Sequence, residues 1–184
     1  MNFFQGRTAK LKVLILCSYP SRYITSILMH GSRSTHVSSW NINLIKGLSE
    51  IKDLELFIIS KGQFFINKNY KVNNINFFYV SKIPFFDKYF PSIRMRRYQK
   101  FIDKINPDLV HGIGNEHLYP YFAMKSGYKN VLTIHGILQN IITDASTSDK
   151  IRLKLENLVF RKGNNFIAIS NHVKQLINKQ NPIA

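Results

Sequence analysis

KVLILCS, residues 12–18, is the stretch on which the fold turns. Five consecutive apolar side chains, Val13 to Cys17, stand between a lysine and a serine without any polar interruption. A strand with one face in water alternates polar and apolar positions, whereas a strand covered on both faces reads as a continuous apolar run. Five more runs of this kind follow along the chain. They are LELFIIS (54–60), INFFYVS (75–81), DLVHGI (108–113), NVLTIH (130–135) and NFIAIS (165–170). Strands buried on both faces belong in a parallel sheet with helices on each side.

Between these runs the apolar spacing lengthens to the helical period. Val37, Trp40, Leu44, Leu48 and Ile51 form one stripe, Tyr98, Phe101, Ile102 and Ile105 a second, and Ile151, Leu155, Leu158 and Val159 a third. Leu118, Tyr121 and Phe122 mark a shorter helix, and Val173, Leu176 and Ile177 another, with Ser170 as its N-cap. The Asn- and Lys-rich segment 62–74 reads as a loop or hairpin connection. Strand and helix alternate almost throughout, and right-handed crossovers then give an α/β domain, a three-layer αβα sandwich with a mostly parallel sheet. In such a sheet ligands bind outside the carboxyl ends of the strands, where the strand order reverses. Residues at those ends are Ser18-Tyr19-Pro20 and the long loop after them, His111 to Gly114, His135-Gly136 and Ser170-Asn171-His172.

The chain has 184 residues, which suits a single domain over 1–184 with a flexible stretch at 1–10. Lys and Arg number 26 against 10 Asp and Glu, a formal charge of +16, yet 45% of residues are hydrophobic, too many for a disordered polycation. The longest apolar run, five residues, is far below the roughly 20 needed for a membrane-spanning helix. Arg7, Lys10 and Lys12 imitate the start of a signal peptide, but the run after them is too short and lacks a small-residue cleavage pattern. One cysteine, Cys17, cannot form an internal disulfide, and a cytoplasmic setting is expected. The nucleophile elbow, the P-loop and the dinucleotide fingerprint are all missing, which argues against hydrolase and NAD-dependent chemistry. Nothing in the spacing suggests a metal site, since neither HExxH nor a cysteine-containing ligand set occurs.

Four segments together resemble the N-terminal, acceptor-side domain of glycosyltransferase family 4. The first is KVLILCSYP (12–20), followed by a loop holding Gly31-Ser32 and then His36-Val37, with the helix ending near Gly47-Leu48. The others are INPDLVHGIG (105–114), NVLTIHG (130–136) and NNFIAISNHVKQLI (164–177). Their order is that of the family from about Lys12 to the end of the chain. The resemblance implies a Rossmann-like domain, one half of a GT-B fold. It implies transfer of a hexose-type sugar from a nucleotide-sugar donor to a polysaccharide or lipid-linked glycan acceptor, with no cofactor. Two features depart from the family. Gly31-Ser32 stands where a Gly-Gly pair is usual, and serine resists the positive φ that glycine takes easily. The chain also ends at Ala184 without the donor-binding domain that holds most of the nucleotide-sugar. The expectation is therefore half an enzyme, inactive alone.

The resemblance places His135 at the strand end that reaches the sugar, as the catalytic position. A neutral imidazole there can hydrogen-bond a sugar hydroxyl; the alternative is a polar residue bonded to backbone. Gly31, Ser32, His111, Gly112, Glu116 and Gly136 are the expected substrate-binding residues. Glu116 can equally serve to start the following helix, where negative charge suits the dipole. The segment SIRMRRYQKFIDK (92–104) carries Arg94, Arg96, Arg97, Lys100 and Lys104 beside Phe85, Phe86 and Phe90. These cations read either as an anionic-membrane surface, giving peripheral attachment at the inner membrane face, or as the solvated side of an ordinary helix. A non-catalytic basic module binding anionic membrane or nucleic acid is the alternative function. Nucleic acid is disfavoured, because no recognition motif occurs and the cations are spread along the chain.

Overall fold

A computed structural model describes residues 10–20, 39–62, 65–114, 117–138, 142 and 145–182. Seven strands form one sheet: β1 Leu11–Leu16, β2 Leu54–Lys61, β3 Lys68–Val72, β4 Ile75–Val80, β5 Leu109–Ile113, β6 Asn130–Ile134 and β7 Phe166–Ala168. Their order is β3-β4-β2-β1-β5-β6-β7. Every neighbouring pair is parallel except β3 with β4, which is antiparallel. Starting from β1 the chain builds outward to β2 and β4, then returns to the other side of β1 for β5, β6 and β7. The order thus reverses between β1 and β5, and the crevice expected of such a sheet opens there.

The described helices are α1 Ser39–Ser49, α2 Pro84–Tyr89, α3 Pro91–Ile105, α4 Tyr119–Lys125, α5 Thr147–Lys162 and α6 Asn171–Gln180. Because the strands are apolar on both sides, the sheet supports two cores. On one face Leu14, Leu16, Val110, Leu132 and Ile134 pack against Tyr98 and Ile102 of α3, Phe122 of α4, Phe160 of α5 and Ile177 of α6. On the other, Val13, Ile15, Leu56, Ile58 and Phe77 pack against Ile42 and Ile45 of α1. Each fully buried side chain of this size contributes roughly 1.5–3 kcal/mol.

Within the segment expected to be a loop or hairpin connection, the described residues 68–74 form a strand and a turn. Asn73 turns the chain at a positive φ of 53°, a conformation asparagine tolerates, and β3 then pairs with β4. Ser170 caps α6 by accepting from the Val173 amide at 3.3 Å, as its position predicts. α5 starts with a capping box, Ser146 with Asp149.

The stripe expected for the first helix is displaced. Trp40 is 59% exposed and Ile51 lies beyond the helix end, while Asn41, Ile42 and Ile45 are the buried positions. The Asn41 side-chain amide donates to the Ser18 carbonyl at 3.0 Å, on the same side of α1 as Ile42 and Ile45, which pack into the core. Val37 lies outside the described residues, as does the segment 1–9. Among the described residues no helix is long and apolar enough to cross a membrane.

Candidate functional site

β5 and β6 bring two of the expected site residues together. His111 pairs with Ile15 of β1 and Val131 of β6, which puts its ring on the α1 face of the sheet. Its Nε2 lies 2.7 Å from Thr133 Oγ1 of β6. Burial pushes the His111 pKa down to about 4, with His135 adding to the effect, so the ring is neutral at pH 7. His135 is the first residue past β6 and half-buried. The Trp40 ring meets it edge-on at 5.8 Å and 81°. The exposure of Trp40, unfavourable in a core helix, makes sense at such a place: an aromatic plane beside imidazoles offers a flat surface and hydrogen-bonding nitrogens to a polar ring.

The turn carrying His135 and Gly136 is held from behind. Glu156 of α5, only 3% exposed, accepts the Leu138 amide through Oε1 at 2.9 Å. Sequence reasoning missed this residue. Its signal was an acid within the apolar positions Leu155, Leu158 and Val159 of α5.

Gly112 departs from the substrate-binding role expected of it. It is buried, and a Cβ there would lie 2.6 Å from the Tyr119 carbonyl oxygen and 2.8 Å from Pro120 Cα. The missing side chain lets β5 and α4 approach closely. Gly31, Ser32 and Glu116 lie outside the described residues. His117 packs edge-on against Tyr119 and lines a cleft that His111 does not reach.

The basic helix α3 is corrected in part. Arg94 is 5% exposed, donates from Nη2 to the His117 carbonyl at 2.7 Å, and lies over the rings of Phe122 and Tyr98. It stands one turn ahead of Tyr98 and Ile102 on the buried stripe, which is why it cannot face a membrane. Arg97 is half-buried, pairs with Asp87 and donates to the Ser81 carbonyl at 2.7 Å. Arg96, Lys100 and Lys104 are exposed.

A doubly wound, mostly parallel sheet with helices on both faces is a Rossmann-like fold, the fold found in GT-B glycosyltransferases. The chain belongs to Glycosyltransferase Family 4, whose profile matches residues 39–184. No curated protein matches the sequence. Among solved structures, sucrose-phosphate synthase from Thermosynechococcus elongatus superposes with a TM-score of 0.61 at 10% identity, over 92% of this chain and 45% of the synthase chain. A second structure of that synthase gives 0.56 at 10% identity, over 91% of this chain and 81% of the other. At such identities the likeness shows the fold. The chain spans less than half the length of the first synthase chain.

Proposed function

We propose that residues 1–184 form the acceptor-side domain of a transferase that moves a sugar from a nucleotide-sugar to a polysaccharide or lipid-linked glycan. A separate donor-binding domain would hold the nucleotide, and the acceptor-side domain alone would turn over nothing. The observation that carries this reading is the cluster of His111 in β5, Thr133 near the end of β6, His135 just past it and Trp40 at the start of α1. Positive charge develops at the anomeric carbon as the diphosphate departs, so positioning and electrostatics dominate such chemistry. A neutral imidazole at His135 can orient a hydroxyl without opposing that charge, while Trp40 supports the sugar face.

The test compares residues 1–184 with a two-domain chain containing them, using a panel of nucleotide-sugars and glycan acceptors. Transfer is expected only from the two-domain chain, and His135→Ala there should lower kcat by about 10- to 100-fold, or about 1.4–2.7 kcal/mol. Turnover by residues 1–184 alone would refute the half-enzyme reading; unchanged turnover in His135→Ala would refute the role of that residue.

The same domain would work at the inner membrane face. Phe85, Phe86 and Phe90 form an exposed aromatic cluster at the start of α3, with centroid separations of 5.8–6.0 Å. Arg96, Lys100 and Lys104 extend from it along the exposed side of the helix. Aromatic rings flanked by cations suit an anionic lipid surface.

A further inference from the structure

Lys61 at the end of β2, Lys82 after β4, Lys88 of α2, Arg94 of α3 and Arg152 of α5 converge on a cleft of about 460 Å³. Among the described residues Asp87 is the one carboxylate lining it, and that group is already engaged by Arg97. Asp149, outside the lining, holds Arg152 at 3.2 Å. Among the described residues Lys61, Lys82, Lys88 and Arg94 have no ion pair. Neutral sugars do not require such a concentration of charge.

Arg94 is the most informative of the five. Its guanidinium is almost fully buried, it has a backbone carbonyl and two aromatic rings as neighbours, and its Nε has no hydrogen-bond partner. Among the described residues Arg94 has no counter-ion, and a buried cation left so is strongly unfavourable unless an anion can reach it. The surroundings reinforce the need. Lys61 is held below its usual pKa by burial and then by Arg94, and His117 is pushed down to about 4 by burial and then by Arg94, Lys61 and Arg152. The start of α3 lies at the same place. Pro91 lines the cleft, the helix has neither a side-chain cap nor an acidic residue in its first turn, and its dipole adds positive potential. These groups stand on rigid elements: the Lys61 amide donates to the Tyr119 hydroxyl at 3.1 Å, and the Gly62 amide to the Val80 carbonyl at 2.8 Å.

We infer that this cleft binds the phosphate or diphosphate group of a phosphorylated acceptor, with Arg94 and Lys61 as its principal contacts. An Arg fork and one or more ammonium groups can share the oxygens of a phosphate, which a single carboxylate could not satisfy as fully. The inference rests on the transferase reading for the word acceptor, and on the cleft alone for the phosphate.

Calorimetric titrations of the full 184-residue chain would use inorganic pyrophosphate, glucose 1-phosphate, glucose, uridine diphosphate, and farnesyl diphosphate in phosphatidylcholine nanodiscs. Pyrophosphate is expected to bind, and Arg94→Gln, Lys61→Gln and Lys82→Gln each to weaken it, the first two at least tenfold. The control Arg161→Gln with Lys162→Gln, exposed at the far end of α5, removes two charges elsewhere and should leave the affinity within a factor of about two. Arg94→Gln could fail to fold; the two lysine variants then decide. No pyrophosphate binding, or equal affinity in all variants, overturns the inference. Preference for glucose 1-phosphate over glucose supports a soluble phosphorylated acceptor, and preference for farnesyl diphosphate nanodiscs a lipid-linked one. Uridine diphosphate binding more tightly than both overturns the assignment to an acceptor. A parallel glycan titration read at Trp40 separates the two readings. Glycan response with no pyrophosphate binding removes only this inference, and the reverse removes only the transferase reading.

Discussion

Lowering the pH from 7.5 to 5.0 should remove much of the stability of this domain through two histidines. His111 and His117 both have their pKa pushed from 6.5 to about 4, chiefly by burial. Above pH 6.5 each is neutral in the folded and unfolded chains, and the shift has no effect. Between pH 6.5 and 4 the unfolded chain takes up protons that the folded one refuses, so stability falls as pH falls, and the loss is complete below about pH 4. A shift of about 2.5 units at 1.36 kcal/mol per unit corresponds to about 3 kcal/mol per histidine at full effect. At pH 5.0 the partial loss is about 2 kcal/mol each, or about 4 kcal/mol for the pair. That is a large part of the 5–15 kcal/mol typical of a whole domain. Urea unfolding followed by circular dichroism at pH 7.5 and 5.0 measures it. His111→Gln and His117→Gln should each recover about half the difference, and the double variant nearly all. Asp149, whose carboxyl is held below its usual range mainly by Ser146, titrates below this window. Equal stability at both pH values, or an undiminished loss in the double variant, would refute the assignment of buried neutral histidines.

Gly112→Ala should destabilise the domain by about 3 kcal/mol, because a Cβ placed 2.6 Å from the Tyr119 carbonyl forces β5 and α4 apart; thermal unfolding reads this, and an unchanged midpoint would show that α4 yields freely. Glu156→Ala removes the acceptor of the Leu138 amide and should cost about 1–3 kcal/mol, with increased amide exchange in the turn after β6. Phe85→Ser with Phe86→Ser should abolish sedimentation with phosphatidylglycerol vesicles without altering the fold, since both rings are exposed. Vesicle binding that survives in this variant, or salt-sensitive binding to duplex oligonucleotide with none to vesicles, would move the function of the charge away from membranes.

The strands were legible because burial on both faces of a parallel sheet leaves a continuous apolar run, and each of the six runs became a strand within one or two residues of its expected ends. The Asn- and Lys-rich β3 was less so, since an edge strand exposes one side to water and loses that signature. Helix faces were harder. The α1 stripe led through Trp40, while the buried side carries Ile42, Ile45 and Asn41, the last bonded to Ser18 across 23 residues, a contact that no periodicity contains.

Charge followed the same rule. Arg94, Arg96, Arg97, Lys100 and Lys104 look alike in the sequence, yet two are turned inward, one onto Phe122 and Tyr98 and one onto Asp87. His135 lies just past β6, where the local pattern ends the strand, whereas His111 sits at the centre of β5. Glycine illustrates the divide most sharply: Gly112 reads as a place for a ligand, and the packing of α4 across β5 makes it a place for a helix. The apolar pattern of the chain alone determines where strands run and which ends face the crevice, because that pattern is local. Which cations gather around the cleft, and which histidines lose their protons, follows only from folding, because burial and charge proximity come from residues far apart in the chain.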